Sequence, residues 1–404
     1  MSTVDKKMRI GILTHYYNSS NYGGNLQAYA LCRVIGSLGC EVHQIQYDRS
    51  KDNLFWSNRN KSCSTLRRII RKPYWQLRSM YHNACIGREI AEKLKSREKD
   101  VRGFNQALIP HSPRVYNYTD MAAIVLDYNV FITGSDQVWH PLAVCDAYLL
   151  DFADGQKYPK FSYAASIAVE SLSEQQLERY RRSLRDYQAI SVRENNAVEI
   201  VRPITELSVE QVLDPTLLLG VEQWNEIAVD NIIQGRYVFC HFLGNDERHR
   251  AVATEYAREN ELKIVTIPYL SDGYAKRNRN FGDVQLYEVG PAEFISLIKH
   301  SECVLTDSFH AAVFSLLYQK EFFTFDRSVT QSMGSRLYSL MDLFDVQEHF
   351  CDNERKMSME YICNVEPIDY GRRFPKFEDM KKKSMEYLRG NLEMAQRRLN
   401  GDES

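Results

Sequence analysis

No stretch of this chain is apolar enough to span a membrane. The longest apolar runs, such as Ile10–Leu13 and Met121–Leu126, fall far short of the ~20 residues a membrane helix needs. Met1–Lys7 is polar and charged and has no apolar core of a secretory signal. The nine cysteines are odd in number, show no regular spacing and include no Cys-x-x-Cys pair. That speaks against a disulfide framework or a structural zinc site and for reduced thiols in a cytoplasmic protein. Also missing are G-x-G-x-x-G and G-x-x-x-x-G-K-[ST], which counts against dinucleotide oxidoreductases and P-loop NTPases. HExxH, GxSxG and clustered metal ligands are absent too, so neither a metal nor a cofactor is expected. With 51 basic and 53 acidic residues the net charge is −2, and nucleic acid is not an expected partner.

What is present is an ordinary globular composition: 404 residues, 44% hydrophobic, 26% charged and 12% aromatic. Such a chain can bury a sizeable core, and at ~100–200 residues per domain its length suggests two domains. Charge is distributed unevenly. Ser57–Arg102 holds thirteen Lys or Arg against four acids, a local +9 that leaves −11 for the rest.

Met8–Thr14 reads as a buried first strand, followed by a polar loop over His15–Asn25 that ends in Gly23 and Gly24. Leu26–Leu38 carries apolar residues at helical spacing, Gly39 stops it, and Glu41–Tyr47 alternates like a strand. Strand, glycine loop, helix and strand make a βαβ unit, which predicts a parallel sheet. Ile124–Thr133 returns to buried-strand character, and Phe161–Ser166 and Ala189–Val192 read as further strands around a helix over Glu174–Tyr187. A second series follows. Strands are expected at Tyr237–Phe242, Lys263–Ile267, Cys303–Thr306 and Phe322–Phe325. Helices are expected at Glu247–Asn260, Pro291–Lys299, Ser308–Leu317 and, last, Phe377–Leu399. The architecture this predicts is α/β: two doubly wound Rossmann-like domains facing across a cleft, residues 1–203 and 204–404, with a basic insert at 57–102.

Four segments lie at or just beyond the ends of predicted strands, where ligands bind in open α/β sheets. The first is Asn21-Tyr22-Gly23-Gly24-Asn25, with Gln27 in the next turn. Its glycines allow close backbone approach to a ligand, and the following helix start favours anions; the alternative is a plain βα connection. The second, Gly134-Ser135-Asp136-Gln137-Val138-Trp139, sets acid, amide and aromatic side chains together, as carbohydrate sites do; the alternative is a helix cap. The third places Arg193 at a strand end, suited to bidentate binding of phosphate or carboxylate, unless adjacent Glu194 merely pairs with it at the surface. The fourth, Thr306-Asp307-Ser308-Phe309-His310-Ala311, puts a histidine in the first turn of a helix, where the dipole disfavours its protonated form; the alternative is a structural histidine.

In this order the segments resemble the polysaccharide pyruvyl transferase family. The likeness rests on GIL…NYGGNLQAYAL, GSDQVW, ISVREN, VLDPTLLL and CVLTDSFHAAVFSLL, and it spans roughly Met8 to Phe325. It implies a fold similar to the two-domain, GT-B type glycosyltransferases and transfer of a pyruvyl group from phosphoenolpyruvate, a co-substrate, to a sugar. The product it implies is a pyruvate ketal on a hexose of a bacterial surface polysaccharide, built on a lipid-linked acceptor. His310 matches the family's functional histidine and Arg193 an arginine associated with phosphoenolpyruvate. Some members carry Arg two residues before the histidine, where this chain has Ser308, so donor contacts made by that Arg must come from elsewhere.

The site expected on this basis has His310, Asp307 and Asp136 in catalysis, with Arg193, Ser308 and Phe309 on the donor. Asn21, Gly23, Gly24, Asn25, Gln27, Ser135, Gln137 and Trp139 line the acceptor side. Leu66–Trp75 interleaves cations with aromatic and aliphatic groups and is a candidate peripheral contact with the inner face of the cytoplasmic membrane; the alternative is a solvated face with Leu66 and Trp75 turned into the core. Two other readings stay open: a glycosyltransferase using a nucleotide sugar, and a catalytically inactive glycan- or lipid-binding relative.

Overall fold

A computed structural model of the chain describes residues 7–52, 87–270, 278, 280–327, 334–353 and 355–401. The expected membrane contact Leu66–Trp75 lies outside the described residues. The chain forms two compact units. Described residues up to 52, 105–220 and from 371 onward make the first; 87–104 and 221–370 make the second.

The first unit runs β1 (Arg9–Leu13), α1 (Tyr22–Ser37), β2 (Glu41–Gln44) and β3 (Tyr47–Asp48). After α2 (Arg88–Leu108), whose residues up to Phe104 belong to the second unit, come β4 (Tyr116–Asn117), the single turn α3 (Ile124–Asp127), β5 (Val130–Thr133), β6 (Lys160–Ser162), α4 (Glu174–Leu184), β7 (Ile190–Val192), α5 (Asn195–Val201) and β8 (Val209–Gln211). Four strands form a parallel sheet in the order β2-β1-β5-β6. The pairing continues past β6 through the Phe161–Ala189 bridge to β7 and β8, and past β2 through the Gln44–His111 bridge to the β3–β4 pair. The strand order therefore reverses between β1 and β5. Ile10, Ile12, Leu13, Phe131 and Ile132 are fully buried there.

Two boundaries differ from the sequence expectation. Helix α1 starts at Tyr22 rather than Leu26, because the Asn21 side chain accepts from the Gly24 amide and caps it; Gly23 and Gly24 thus sit in the first turn instead of ending a loop. Ile124–Thr133 is not one strand. Asn129 exchanges hydrogen bonds with the Arg9 backbone, which starts the pairing at Val130 and leaves Ile124–Asp127 as a helical turn.

The second unit contains α6 (Val221–Asn225), β9 (Tyr237–His241), α7 (Glu247–Glu259), β10 (Lys263–Thr266), β11 (Val284–Gln285), α8 (Pro291–Lys299) and β12 (Cys303–Thr306). It continues with α9 (Phe309–Leu317), β13 (Glu321–Phe325), α10 (Gly334–Leu343), β14 (Phe350–Cys351) and α11 (Met359–Asn364). Its six parallel strands lie in the order β11-β10-β9-β12-β13-β14, the doubly wound order with a reversal between β9 and β12. Ile90 and Leu94 of α2 pack against Leu270 and Tyr287 of this unit.

The last helix, α12 (Tyr370–Asn400), belongs from Gly371 onward with the first unit. Ser384 Oγ accepts from the Leu213 amide at 2.9 Å, and the Tyr387 hydroxyl donates to the Ser162 carbonyl at 2.9 Å. The division therefore differs from 1–203 and 204–404. Strand β8 is held by β7, and α12 is held by these bonds, so both sit with the N-terminal half of the chain.

Candidate functional site

Each unit collects polar residues at the carboxyl edge of its sheet, where the strand order reverses. In the first unit the centre is Arg193, one residue past β7. It is not at the surface: its side chain is 3% exposed, and that of Glu194 is 1% exposed. Nη1 donates to Asp214 Oδ2 at 2.8 Å, Nη2 lies 3.9 Å from Asp136 Oδ1, and Nε lies 3.9 Å from Glu194 Oε2. Burial alone pulls the guanidinium pKa down, but Asp214, Asp136 and Glu194 together hold it above its ordinary value. One cation thus faces three carboxylates.

The carboxylates are themselves anchored. Asp214 Oδ1 accepts from the Thr216 amide at 3.0 Å and hydroxyl at 2.7 Å, and Oδ2 also accepts from Ser135 Oγ at 3.0 Å. Glu194 Oε1 accepts from Ser166 Oγ and from the amides of Ile167 and Ala168. Asp136 is fixed by its backbone, at φ 71° and ψ −176°. That conformation is close to glycine-only and costs on the order of 1–3 kcal/mol, a strain that collects at functional sites.

Several residues expected on the acceptor side are engaged in the scaffold. Gln27 Nε2 donates to Thr14 Oγ1 at 2.9 Å and to the Gly24 carbonyl at 2.8 Å, tying α1 to the end of β1. Asn25 Nδ2 donates to the carbonyls of Ser19 and Asn21, and its Oδ1 accepts from Asn105. Trp139 offers no stacking face: it is fully buried, its Nε1 donates to the Tyr148 carbonyl at 3.2 Å, and Tyr180 and Tyr187 pack on it edge-on. Asn21 is exposed and Gln137 half-buried, beside Asp136.

In the second unit Thr306 ends β12 and its hydroxyl donates to the His241 carbonyl at 2.6 Å, fastening β12 to β9. Asp307 is fully buried. Its Oδ1 accepts from the Leu243 amide and its Oδ2 from the Gly244 amide, both at 2.7 Å, and Arg327 Nε lies 3.7 Å from Oδ1. This carboxylate therefore shapes the turn after β9; those contacts do not include His310. Glycine suits that turn at Gly244, since a Cβ there would sit 2.7 Å from Asp307 Oδ2 and force the carboxylate to shift.

Ser308 precedes α9 with a side chain that makes no capping bond, and buried His310 occupies the first helical turn beside Phe309, ring centroids 5.2 Å apart. Arg327, two residues past β13, donates from Nε to the Asp307 carbonyl at 3.1 Å and keeps 21% of its side chain exposed. His249 lies between Asp307 and Asp246, each 3.9 Å away, and burial lowers its pKa despite both. His241 ends β9 against Phe239 and Phe294, its pKa pushed down to about 4 by burial.

Sequence reasoning passed over Asp214, His15, His241, His249 and Arg327. All but His249 follow or end a strand, so the strand-end rule that selected the four segments also reaches them. Their chemistry was hidden by its neighbours: Asp214 stands inside the apolar VLDPTLLL, and His15 opens a polar loop.

The architecture is that of a GT-B type protein, α/β with a parallel doubly wound sheet in each unit. Among solved structures, MnaA of S. aureus with UDP superposes with a TM-score of 0.53, at 10% identity over 96% of this chain and 97% of that chain. A putative UDP-N-acetylglucosamine 2-epimerase from Listeria monocytogenes gives 0.51 at 6% identity, covering 93% and 91%. The UDP-N-acetylglucosamine 2-epimerase from Rickettsia bellii gives 0.51 at 8% identity, covering 96% and 97%. At such identities the likeness is one of fold alone. No curated protein sequence matches the chain. The family model for polysaccharide pyruvyl transferase matches residues 21–329, most of the chain, and the chain belongs to that family.

Proposed function

We propose that the chain transfers a pyruvyl group from phosphoenolpyruvate to a hexose of a bacterial surface polysaccharide repeat unit, forming a ketal and releasing phosphate. The acceptor in this reading is lipid-linked, and Leu66–Trp75 supplies the peripheral contact with anionic lipid. The observation that carries the reading is the extent of the family match, which runs from the α1 cap past Arg327 and takes in Asp136, Arg193, Asp214 and the strand reversal of the second unit.

The donor brings a phosphate and a carboxylate close together and asks for cations and free amides. Arg193 alone suits this poorly, because three carboxylates already face it. Ser308, Phe309 and His310 at the start of α9 suit it better, and Arg327 beside them adds the cation that position 308 lacks. Arg193 then serves the site by holding Asp136 and Asp214 in place.

Transfer begins when the donor's C2=C3 π pair takes a proton at C3, making a methyl group and a cationic C2. His310 is the acid in this scheme. An acceptor hydroxyl gives up its proton and its oxygen bonds to C2. Phosphate leaves with the C2–O pair, and a second hydroxyl closes the ketal. Of the two protons the hydroxyls lose, one balances the new methyl and one the departing phosphate. Each assisted proton transfer is worth roughly 10²–10⁴-fold. Asp136 orients the acceptor.

Calorimetry with phosphoenolpyruvate and with UDP-N-acetylglucosamine tests the donor without a choice of acceptor. Saturable binding of phosphoenolpyruvate, weakened ~10-fold (~1.4 kcal/mol) by Arg327→Ala, is the expected result. Binding of the UDP-sugar alone would replace this reading with a glycosyltransferase.

A further inference from the structure

His15 has no task in the scheme above. It lies two residues past β1, on the same carboxyl edge as Asp136, where the strand order of the first unit reverses. Its ring stacks on Tyr148, with centroids 4.7 Å apart and planes 26° from parallel. Nε2 is buried and has no hydrogen-bond partner among the described residues, while the residue as a whole stays partly exposed. A buried imidazole nitrogen left unbonded is uncommon and calls for an explanation.

The backbone that carries this ring is closely packed. A Cβ on Gly24 would stand 2.5 Å from the His15 carbonyl oxygen and 3.5 Å from Asp136 Oδ2, so the His15 backbone, the first turn of α1 and the Asp136 carboxylate converge on one glycine. Burial pushes the imidazole pKa down to about 4, Asp136 opposes that, and Arg49 and His140 add to it. The ring is therefore neutral at neutral pH. Arg49 is held close by by its bond to the Ala143 carbonyl, and its guanidinium carbon lies 5.1 Å from the Tyr148 ring centroid. A packing role alone would be met by any aromatic ring on Tyr148. It would not call for a buried nitrogen left without a bond at the sheet edge that also carries Asp136, whose backbone sits at φ 71°.

We infer that His15 is a further catalytic residue of this chain: the base that removes the proton from an acceptor hydroxyl, with Asp136 stabilising the imidazolium that forms. The inference rests on the pyruvyl-transfer reading. The imidazole lone pair takes the hydroxyl proton, the O–H pair becomes the new O–C2 bond, and the proton passes on to the departing phosphate or to water.

The test is phosphate release from phosphoenolpyruvate with a panel of p-nitrophenyl hexosides, on wild type, His15→Gln and His15→Phe, with donor affinity measured alongside by calorimetry. Both variants are expected to bind phosphoenolpyruvate as wild type does, which also reports that they are folded, and to lose roughly 10²–10⁴-fold in kcat. His15→Phe is the decisive arm, because it keeps a ring on Tyr148 and removes only the nitrogen chemistry. A wild-type kcat in His15→Phe, or a loss of donor affinity that accounts for the loss of turnover, would overturn the inference. Failure of wild type to release phosphate with every hexoside, and with lipid-linked hexoses added to the panel, would instead sink the pyruvyl reading beneath it.

Discussion

Arg193 Nη1 and Asp214 Oδ2 meet at 2.8 Å with side chains 3% and 0% exposed, and two more carboxylates, of Asp136 and Glu194, stand 3.9 Å from the same guanidinium. Breaking such a buried pair leaves uncompensated charge, which costs on the order of 3–5 kcal/mol. Arg193→Ala is expected to lower the urea unfolding midpoint sharply. A wild-type midpoint would show that the pair contributes nothing to the fold. Loss of activity in Arg193→Ala would consequently say little about donor binding, which is why Arg327 is the better probe.

Asp136 gives the opposite sign. At φ 71° and ψ −176° only glycine is unstrained, so Asp136→Gly should raise thermal stability, by roughly 1 kcal/mol or more, while abolishing transfer. If Asp136→Gly melts below wild type, the strain argument is wrong and the carboxylate is holding the fold.

Two glycines of α1 behave differently although they share one helix. Gly36 has nothing within 4 Å of an added Cβ, and Gly36→Ala should stabilise by roughly 0.5–1 kcal/mol through helix propensity. Gly24→Ala sets a methyl 2.5 Å from a backbone oxygen and should destabilise by about 1–3 kcal/mol. Thermal melts of the two variants on either side of wild type would check both.

His15 and His241 set a pH dependence. Desolvation pushes the pKa of each ring from 6.5 to about 4. As pH falls below 6.5 the unfolded chain takes up protons that the folded one refuses, so stability is full above that pH and declines toward pH 4. His15→Gln and His241→Asn should each flatten the slope of stability between pH 7 and 4.5. An unchanged slope in either variant would show that ring to be solvated in the folded protein.

Much of the fold was legible because its strands and helices carry their periodicity openly. Pro291–Lys299 has proline at its first position and appears at those bounds, and Cys303–Thr306 is an unbroken buried strand. Boundaries failed where side chains decide them: the Asn21 cap moved α1 four residues back, and Asn129 delayed β5. The candidate site was legible by position and less so by role. His310 falls in the first turn of α9 as the sequence suggests, whereas Asp307 turns out to hold two backbone amides. Trp139 looked like a sugar platform because an aromatic beside an acid and an amide carries no sign of its burial. The three carboxylates around Arg193 come from segments up to 78 residues apart, between Asp136 and Asp214, and no local pattern announces that they meet.

Helix α12 has a consequence for the order in which the protein is made. Ser384 and Tyr387 complete hydrogen bonds of Leu213 and Ser162, in a unit whose first strand begins at Arg9. The six strands of the second unit, from Tyr237 to Cys351, have emerged from the ribosome before those partners exist. The middle of the chain can therefore close its sheet first, and the unit that holds the earlier strands is the last to be finished.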